Sequence, residues 1–222
     1  MIASESSYIN IHTHHKPGTN ELVVRNAYLK LNAEQIAQLP YPISVGLHPW
    51  HINKYNLTTC TDLLMDAVHL NNVFAVGEIG IDRAIDVPVS TQIQYFEAQL
   101  NIARAVQKPV IIHVVKSYSD LMPFLKKTKV PFIFHGFTGN IQQAKEILKF
   151  NAYLSFGKSL LDEKYREVLA QIPNDRFLLE TDVANVGINQ IYDLAATAKG
   201  LAVDELKSVV FNTFAAITKS KV

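Results

Sequence analysis

Seven short apolar runs recur along the chain, separated by longer stretches with helical spacing. The runs are "YINI" (8–11), "PISVGL" (42–47), "VFAVGEI" (73–79), "PVIIHVV" (109–115), "PFIFHGF" (131–137), "AYLSF" (152–156) and "FLLET" (177–181). They are short and rich in β-branched and aromatic residues, the composition of strands buried on both faces. An alternating run, "ELVVRNAYL" (21–29), is a further candidate strand. In 58–70 the residues Leu63, Leu64, Ala67 and Val68 mark one helical face, and in 91–107 Ile93, Phe96, Leu100 and Ala103 mark another. Stretches 118–127, 140–149, 159–171, 188–199 and 203–218 read the same way. Pro109 and Pro131 each open a strand, and Gly200 separates the last two helices.

Strand alternating with helix demands parallel strands joined by right-handed crossovers. Up to eight strands in 222 residues predict an α/β fold, a compact TIM-type (β/α)8 barrel at the lower end of that fold's size. A doubly wound open sheet is the alternative, but no Gly-rich fingerprint follows the first strand. Residues 13–41 have room for an extended segment and a short helix, not a full crossover helix, so irregularity is expected at the first crossover. With no low-complexity linker, charge block or repeat, residues 1–222 are expected to form a single domain.

Hydrophobic residues are 48% of the chain and charged residues 18%, a globular balance. Lys and Arg total 21 against 20 Asp and Glu, so there is no basic excess of the kind that marks a dedicated nucleic-acid binder. A polyanion must then be held by a local patch or by metal ions. Cys60 is the sole cysteine, which excludes an internal disulfide and a thiolate zinc cage. "MIASESSYIN" lacks a secretory pattern, and no apolar run reaches the ~18 residues that span a bilayer. The expectation is a cytoplasmic protein with no membrane association and no obligate protein partner.

The histidines are His12, His14, His15, His48, His51, His69, His113 and His135. Only His69 falls inside a predicted helix; the others sit at or just past the C-terminal ends of apolar runs. Glu78, Asp82, Glu180 and Asp182 occupy the same ends. In a parallel barrel those ends share one face, where active sites are built. His12 and His14 are two apart on a strand, so both side chains point the same way and His15 points away. Such a pair can bind one metal or can be two hydrogen-bonded loop histidines. Glu78 ends an apolar strand between Gly77 and Gly80, where a carboxylate needs a partner, a hydrogen bond or a metal. His113 and His135 each end a strand that is otherwise apolar. Of Glu180 and Asp182, the latter is preferred as ligand because it lies further towards the barrel mouth. Four histidines and two carboxylates suit two divalent cations, with Zn, Mn, Mg, Co and Ni as candidates. Two ions roughly 3.5–4 Å apart turn a bridging water into a nucleophile near neutral pH, and hydrolysis follows.

The ordered set "NIHTHH" (10–15), "GLHPW" (46–50), "AVGEIGID" (75–82), "QIQYFEAQLNIA" (92–103), "PVIIHV" (109–114), "FHGFTGN" (134–140) and "LLETD" (178–182) resembles the TatD family of metal-dependent deoxyribonucleases, within the amidohydrolase-like barrels. "KGLAVDELKSVVFNTFAAI" (199–217) is similar to that family's closing helix. The resemblance implies that His12, His14 and Asp182 hold one metal, His113 and His135 the other, and Glu78 bridges both. It implies that His48 lies near the phosphate or an additional metal and that Glu180 orients the ligands. Glu78 and Asp182 are then the catalytic candidates, Asp182 taking a proton from bound water. The implied substrate is single-stranded DNA or DNA ends, or a small phosphoester. Three departures stand out. Asn10 replaces the usual Asp, Val115 stands where an Arg is usual, and "VANVGINQ" (183–190) replaces a basic, Pro-containing loop. Metal ligands are thus retained while substrate-gripping elements are reduced. The alternatives are a small-molecule hydrolase acting on a lactone, an amide or a phosphoester, and a metal-binding barrel with little activity. Glu78, in place of the carboxylated Lys of many such barrels, favours the TatD branch. Tyr41, Trp50 and Phe137 either stack a base or pack their loops.

Overall fold

The computed structural model describes residues 7–27 and 31–219, with eight strands and eight α-helices among them. Residues 1–6, part of the stretch read above for a leader, and residues 28–30, which include the last two of "ELVVRNAYL", lie outside the described residues. The strands are β1 (Tyr8–Thr13), β2 (Glu21–Asn26), β3 (Ile43–Val45), β4 (Val73–Asp82), β5 (Val110–Val115), β6 (Phe132–Phe134), β7 (Ala152–Phe156) and β8 (Phe177–Leu179). The helices are α1 (Ala33–Ala37), α2 (Leu57–Val68), α3 (Val89–Ala105), α4 (Tyr118–Leu125), α5 (Ile141–Ile147), α6 (Glu163–Ala170), α7 (Ile188–Lys199) and α8 (Val203–Lys219). The strands follow one another in the sheet in chain order, and β1–β2, β3–β4, β4–β5 and β7–β8 all pair in parallel, the (β/α)8 topology. The first crossover is abbreviated as its sequence demands: residues 14–20 join β1 to β2 with no helix, and α1 is a single short helix before β3.

Two compact units divide the chain, one of residues up to Arg25 with those from Phe134 on, the other of Asn26–Ile133. In the first, Ile9, Ile11, Leu154, Phe156 and Phe177–Leu179 are buried, the fate of apolar strands covered on both faces. β8 continues into β1 through a parallel bridge between Thr13 and Asp182. Asp182 N–H donates to His12 O at 3.0 Å and His14 N–H to Asp182 O at 3.1 Å. From α7 the buried Tyr192 hydroxyl accepts from Ile9 N (2.9 Å) and donates to Ile9 O (3.1 Å), which ties β1 to that helix. Burial pushes that phenol far above its ordinary range. Gly200, at φ 66°, ends α7 in the left-handed conformation that lets α8 start at once. The stretch 159–171, expected as one helix, is a 3-10 turn (Lys158–Leu161) followed by α6, because Asp162 adopts extended backbone and caps α6.

In the second unit β4 and β5 form the core with α3. That helix buries Phe96, Leu100 and Ala103 as its spacing predicts, while Ile93 is only half-buried and Gln92 and Gln99 are fully buried. The amides go inward because two strand ends need partners. Gln99 Oε1 accepts from Leu47 N at 2.7 Å, and Gln92 Oε1 accepts from Asp82 N at 2.8 Å while its Nε2 donates to Asp82 O at 2.9 Å. A buried backbone group left unpaired costs as much as a lost hydrogen bond, so these amides replace the sheet where it stops.

Candidate metal centre

In the first unit the C-terminal ends of β1 and β8 bring His12, His14 and Asp182 together. His12 Nε2 lies 3.6 Å and His14 Nε2 3.4 Å from Asp182 Oδ1. The period-2 geometry of a strand puts both imidazoles on one side, with His15 exposed. Asp182 sits at φ 50°, a left-handed conformation that Asp tolerates better than most residues, held by the two backbone bonds to β1. His135, just past β6, stacks obliquely on His12 with ring centroids 4.5 Å apart. Its Nδ1 is 3.4 Å from Glu180 Oε1. Glu180 is itself fixed, accepting from Gly136 N at 2.8 Å and from the Ser155 hydroxyl. Gly157 allows β7 to run this close: a Cβ there would stand 3.1 Å from both Cγ and O of Glu180. A carboxylate so occupied suits an orienting role beside His135.

The second unit gathers His48, Glu78 and His113 at the ends of β3, β4 and β5. Glu78 Oε1 is 3.1 Å from His48 Nε2 and 2.9 Å from His113 Nδ1, and its Oε2 accepts from Asn26 Nδ2 at 3.1 Å. Asp82 completes this cluster: its Oδ2 is 3.1 Å from His113 Nε2 and accepts from Trp50 Nε1 at 2.8 Å, and its Oδ1 accepts from Ala84 N at 2.8 Å. Burial alone would raise the Asp82 carboxyl, but the bonds from Trp50, Ala84 and His113 outweigh it and hold the group below its ordinary range. Asp82 occupied the right strand end in the sequence, yet nothing there joined it to His113 and Trp50. A carboxylate behind an imidazole fixes its tautomer and strengthens it as a ligand.

His48 is different in kind. Its Nδ1 accepts from Trp50 N at 3.1 Å, capping the 3-10 turn Pro49–Lys54. The hydrogen of the neutral ring therefore sits on Nε2, which makes that nitrogen a donor and a poor metal ligand. Of the aromatics expected to stack or pack, Phe137 is 1% exposed and packs on Phe156 at 5.6 Å, so it is closed to a base, and Tyr41 is buried. Trp50, 62% exposed, has its indole N–H committed to Asp82.

Each set, His12–His14–Asp182 and His48–Glu78–His113, has ligand atoms all within 4.8 Å of one another. Imidazole nitrogens with carboxylate oxygens and no thiolate match the preferences of Zn, Mn, Co and Ni. Geometry alone admits His48 to the second set; its tautomer argues against it. Beside Glu180 and Asp182 opens a cavity of about 380 Å³, walled by Thr138, Lys158, Leu161, Tyr165 and Thr181.

The model of the TatD related DNase family matches residues 11–221. The chain is 40% identical over 117 residues to the uncharacterized metal-dependent hydrolase YabD of Bacillus subtilis, covering 50% of this chain and 46% of that one. It is 31% identical over 158 residues to the uncharacterized metal-dependent hydrolase YjjV of Escherichia coli, covering 68% of this chain and 61% of that one. The 3'-5' ssDNA/RNA exonuclease TatD of Citrobacter rodentium is 32% identical over 179 residues, 74% of this chain and 67% of that one. The matched segments thus span about half of YabD and three fifths of YjjV. The crystal structure of YjjV superposes with a TM-score of 0.83 at 22% identity, over 97% of this chain and 99% of that one. That likeness identifies the fold as the TIM-type (β/α)8 barrel.

Proposed function

The chain belongs to the TatD related DNase family, and on that premise we propose that it is a metal-dependent phosphodiesterase acting on single-stranded nucleic acid from an end. The observation that carries this reading is the His12–His14–Asp182 cluster, whose ligand atoms all lie within 4.8 Å of one another, with Glu78 and His113 2.9 Å apart at the ends of β4 and β5. The name of the Citrobacter rodentium relative, a 3'-5' ssDNA/RNA exonuclease, supports the substrate class. In this reading residues 1–222 work as one domain in the cytoplasm; no helix among the described residues is long and apolar enough to cross a membrane.

His12, His14 and Asp182 would hold one divalent cation, His113 and His135 a second, with Glu78 shared, an assignment that rests on the order of the motifs in the sequence. Bound cations lower the pKa of a coordinated water towards neutrality and stabilise charge on a phosphoryl oxygen. The side chains divide the remaining work. Asp182 accepts the proton of the attacking water, Glu180 holds His135 in orientation, and Asp82 does the same for His113. His48, whose Nε2 lies 3.1 Å from Glu78 Oε1, steadies that carboxylate. The test is a labelled single-stranded DNA and RNA incubated with purified protein and Mg, Mn, Zn, Co or Ni, beside a panel of lactones and amides. A ladder shortening from one end is expected. Lactonase or amidase turnover with intact nucleic acid would overturn the reading.

A further inference from the structure

Resting on that reading, we propose that the cavity at the end of β7 is the subsite for the terminal nucleotide, in which Lys158 grips a phosphate and Leu161 and Tyr165 hold the base. The cavity abuts the first cluster, since Asp182 and Glu180 line it, and about 380 Å³ sits within the range of small-molecule sites, roughly 300–1,000 Å³. Its charges are already spoken for, with one exception. Asp182 faces His12 and His14, Glu180 is held by Gly136 and Ser155, and Asp162 pairs with Lys164 Nζ at 3.0 Å. Lys158 alone among the charged lining residues makes no hydrogen bond or ion pair within the described residues. An uncommitted ammonium beside carboxylates that are all partnered is placed for an anion that arrives with the substrate.

The apolar wall supports the same occupant. Leu161 is 55% exposed with no protein surface to cover it, and Tyr165 next to it is half-buried, with Lys164 Nζ 4.7 Å from its ring centroid. An aromatic and an aliphatic side chain at the rim of a polar cavity form a platform on which any base can stack, and stacking is tolerant of sequence. The local sequence builds this arrangement. Gly157 lets the chain pass over Glu180, and the 3-10 turn Lys158–Leu161 then places the cation and the leucine on one short segment. The segment after Asp182 (183–190) carries no charge, and Lys158, on the turn after β7, supplies one in the same unit.

The test uses the full chain with Mn. For a single-stranded oligonucleotide, Lys158→Glu is expected to raise KM tenfold or more and Tyr165→Leu about fivefold, with Lys158→Arg close to wild type. Lys149→Ala, in an exposed pair with Glu146, serves as the control and leaves KM unchanged. These side chains are exposed or half-exposed, so the variants fold. If wild-type protein cuts the oligonucleotide and KM is the same in Lys158→Glu and Tyr165→Leu, the subsite is refuted while the function stands. If wild-type protein cuts no nucleic acid, the function falls and the subsite is decided by binding of a fluorescent deoxyadenosine monophosphate. Binding weakened tenfold in Lys158→Glu upholds it; equal binding overturns it.

Discussion

Asn10 is 1% exposed and fully engaged: its Nδ2 donates to Glu21 Oε1 at 2.7 Å and to Thr181 Oγ1 at 2.8 Å, while its Oδ1 accepts from Thr181 N at 3.1 Å. An Asp, the residue usual at this place in the resembling family, would set two carboxylates against each other and lose both donations. Asn10→Asp should therefore lower stability by about 2–4 kcal/mol, read as a shift in urea midpoint. Asn10→Asp with Glu21→Gln should recover most of the loss, because the amide then donates where Asn10 did. A single variant as stable as wild type would show the pair to be incidental. The departure at residue 10 was visible in the sequence; its cause was not, since Glu21 meets Asn10 only through the β1–β2 register. Cys60 was legible as the sole cysteine, but its burial shows only in the packing of α2. Burial pushes its pKa up to about 12, so native protein at pH 8 should resist iodoacetamide for hours and react fully in urea. Rapid modification of the native protein would mean that α2 opens.

Among the elements, α3 shows why amphipathic spacing finds a helix but misassigns part of its face. The apolar positions Phe96, Leu100 and Ala103 are buried as read, yet Gln92 and Gln99 accompany them, because β3 and β4 end in backbone groups that no strand can satisfy. Hydropathy counts a glutamine as outward; hydrogen-bond demand sends it inward. Gln99→Leu keeps the volume and removes the acceptor for Leu47 N, one residue before His48. A buried donor left unpaired costs about 1–3 kcal/mol. The expected result is loss of amide-exchange protection at Leu47 and lower activity, with protection in β8 unchanged. Retained protection at Leu47 would mean that another acceptor takes over. The short first crossover was legible for the converse reason: a segment too short for a helix cannot hide one.

On the scale of the whole molecule, the ligand candidates were legible because so few titratable residues interrupt the apolar runs of a chain only 18% charged. Which atom faces which was not, since that depends on register and loop path. His48 reads like the other histidines in sequence, and only the bond from Trp50 N reveals its Nε2 as a donor. Asp82 stood unassigned until His113 and Trp50 closed on it. The shared-carboxylate proposal makes a prediction that no single cluster makes. Removing a ligand of one cation should cost one cation, while removing the shared one should cost both. Wild-type protein purified without chelator should carry about two divalent cations per chain by mass spectrometry, Asp182→Asn about one, and Glu78→Ala close to none, with turnover abolished in the last. Because cations bind only the folded chain, melting temperatures should fall in the same order, and each site held at 100 times its Kd contributes about 2.7 kcal/mol. Chelation should bring wild type down to Glu78→Ala, and added Mn or Zn should restore wild type alone. Glu78→Ala with full cation content and wild-type melting would rule out sharing and leave two independent clusters.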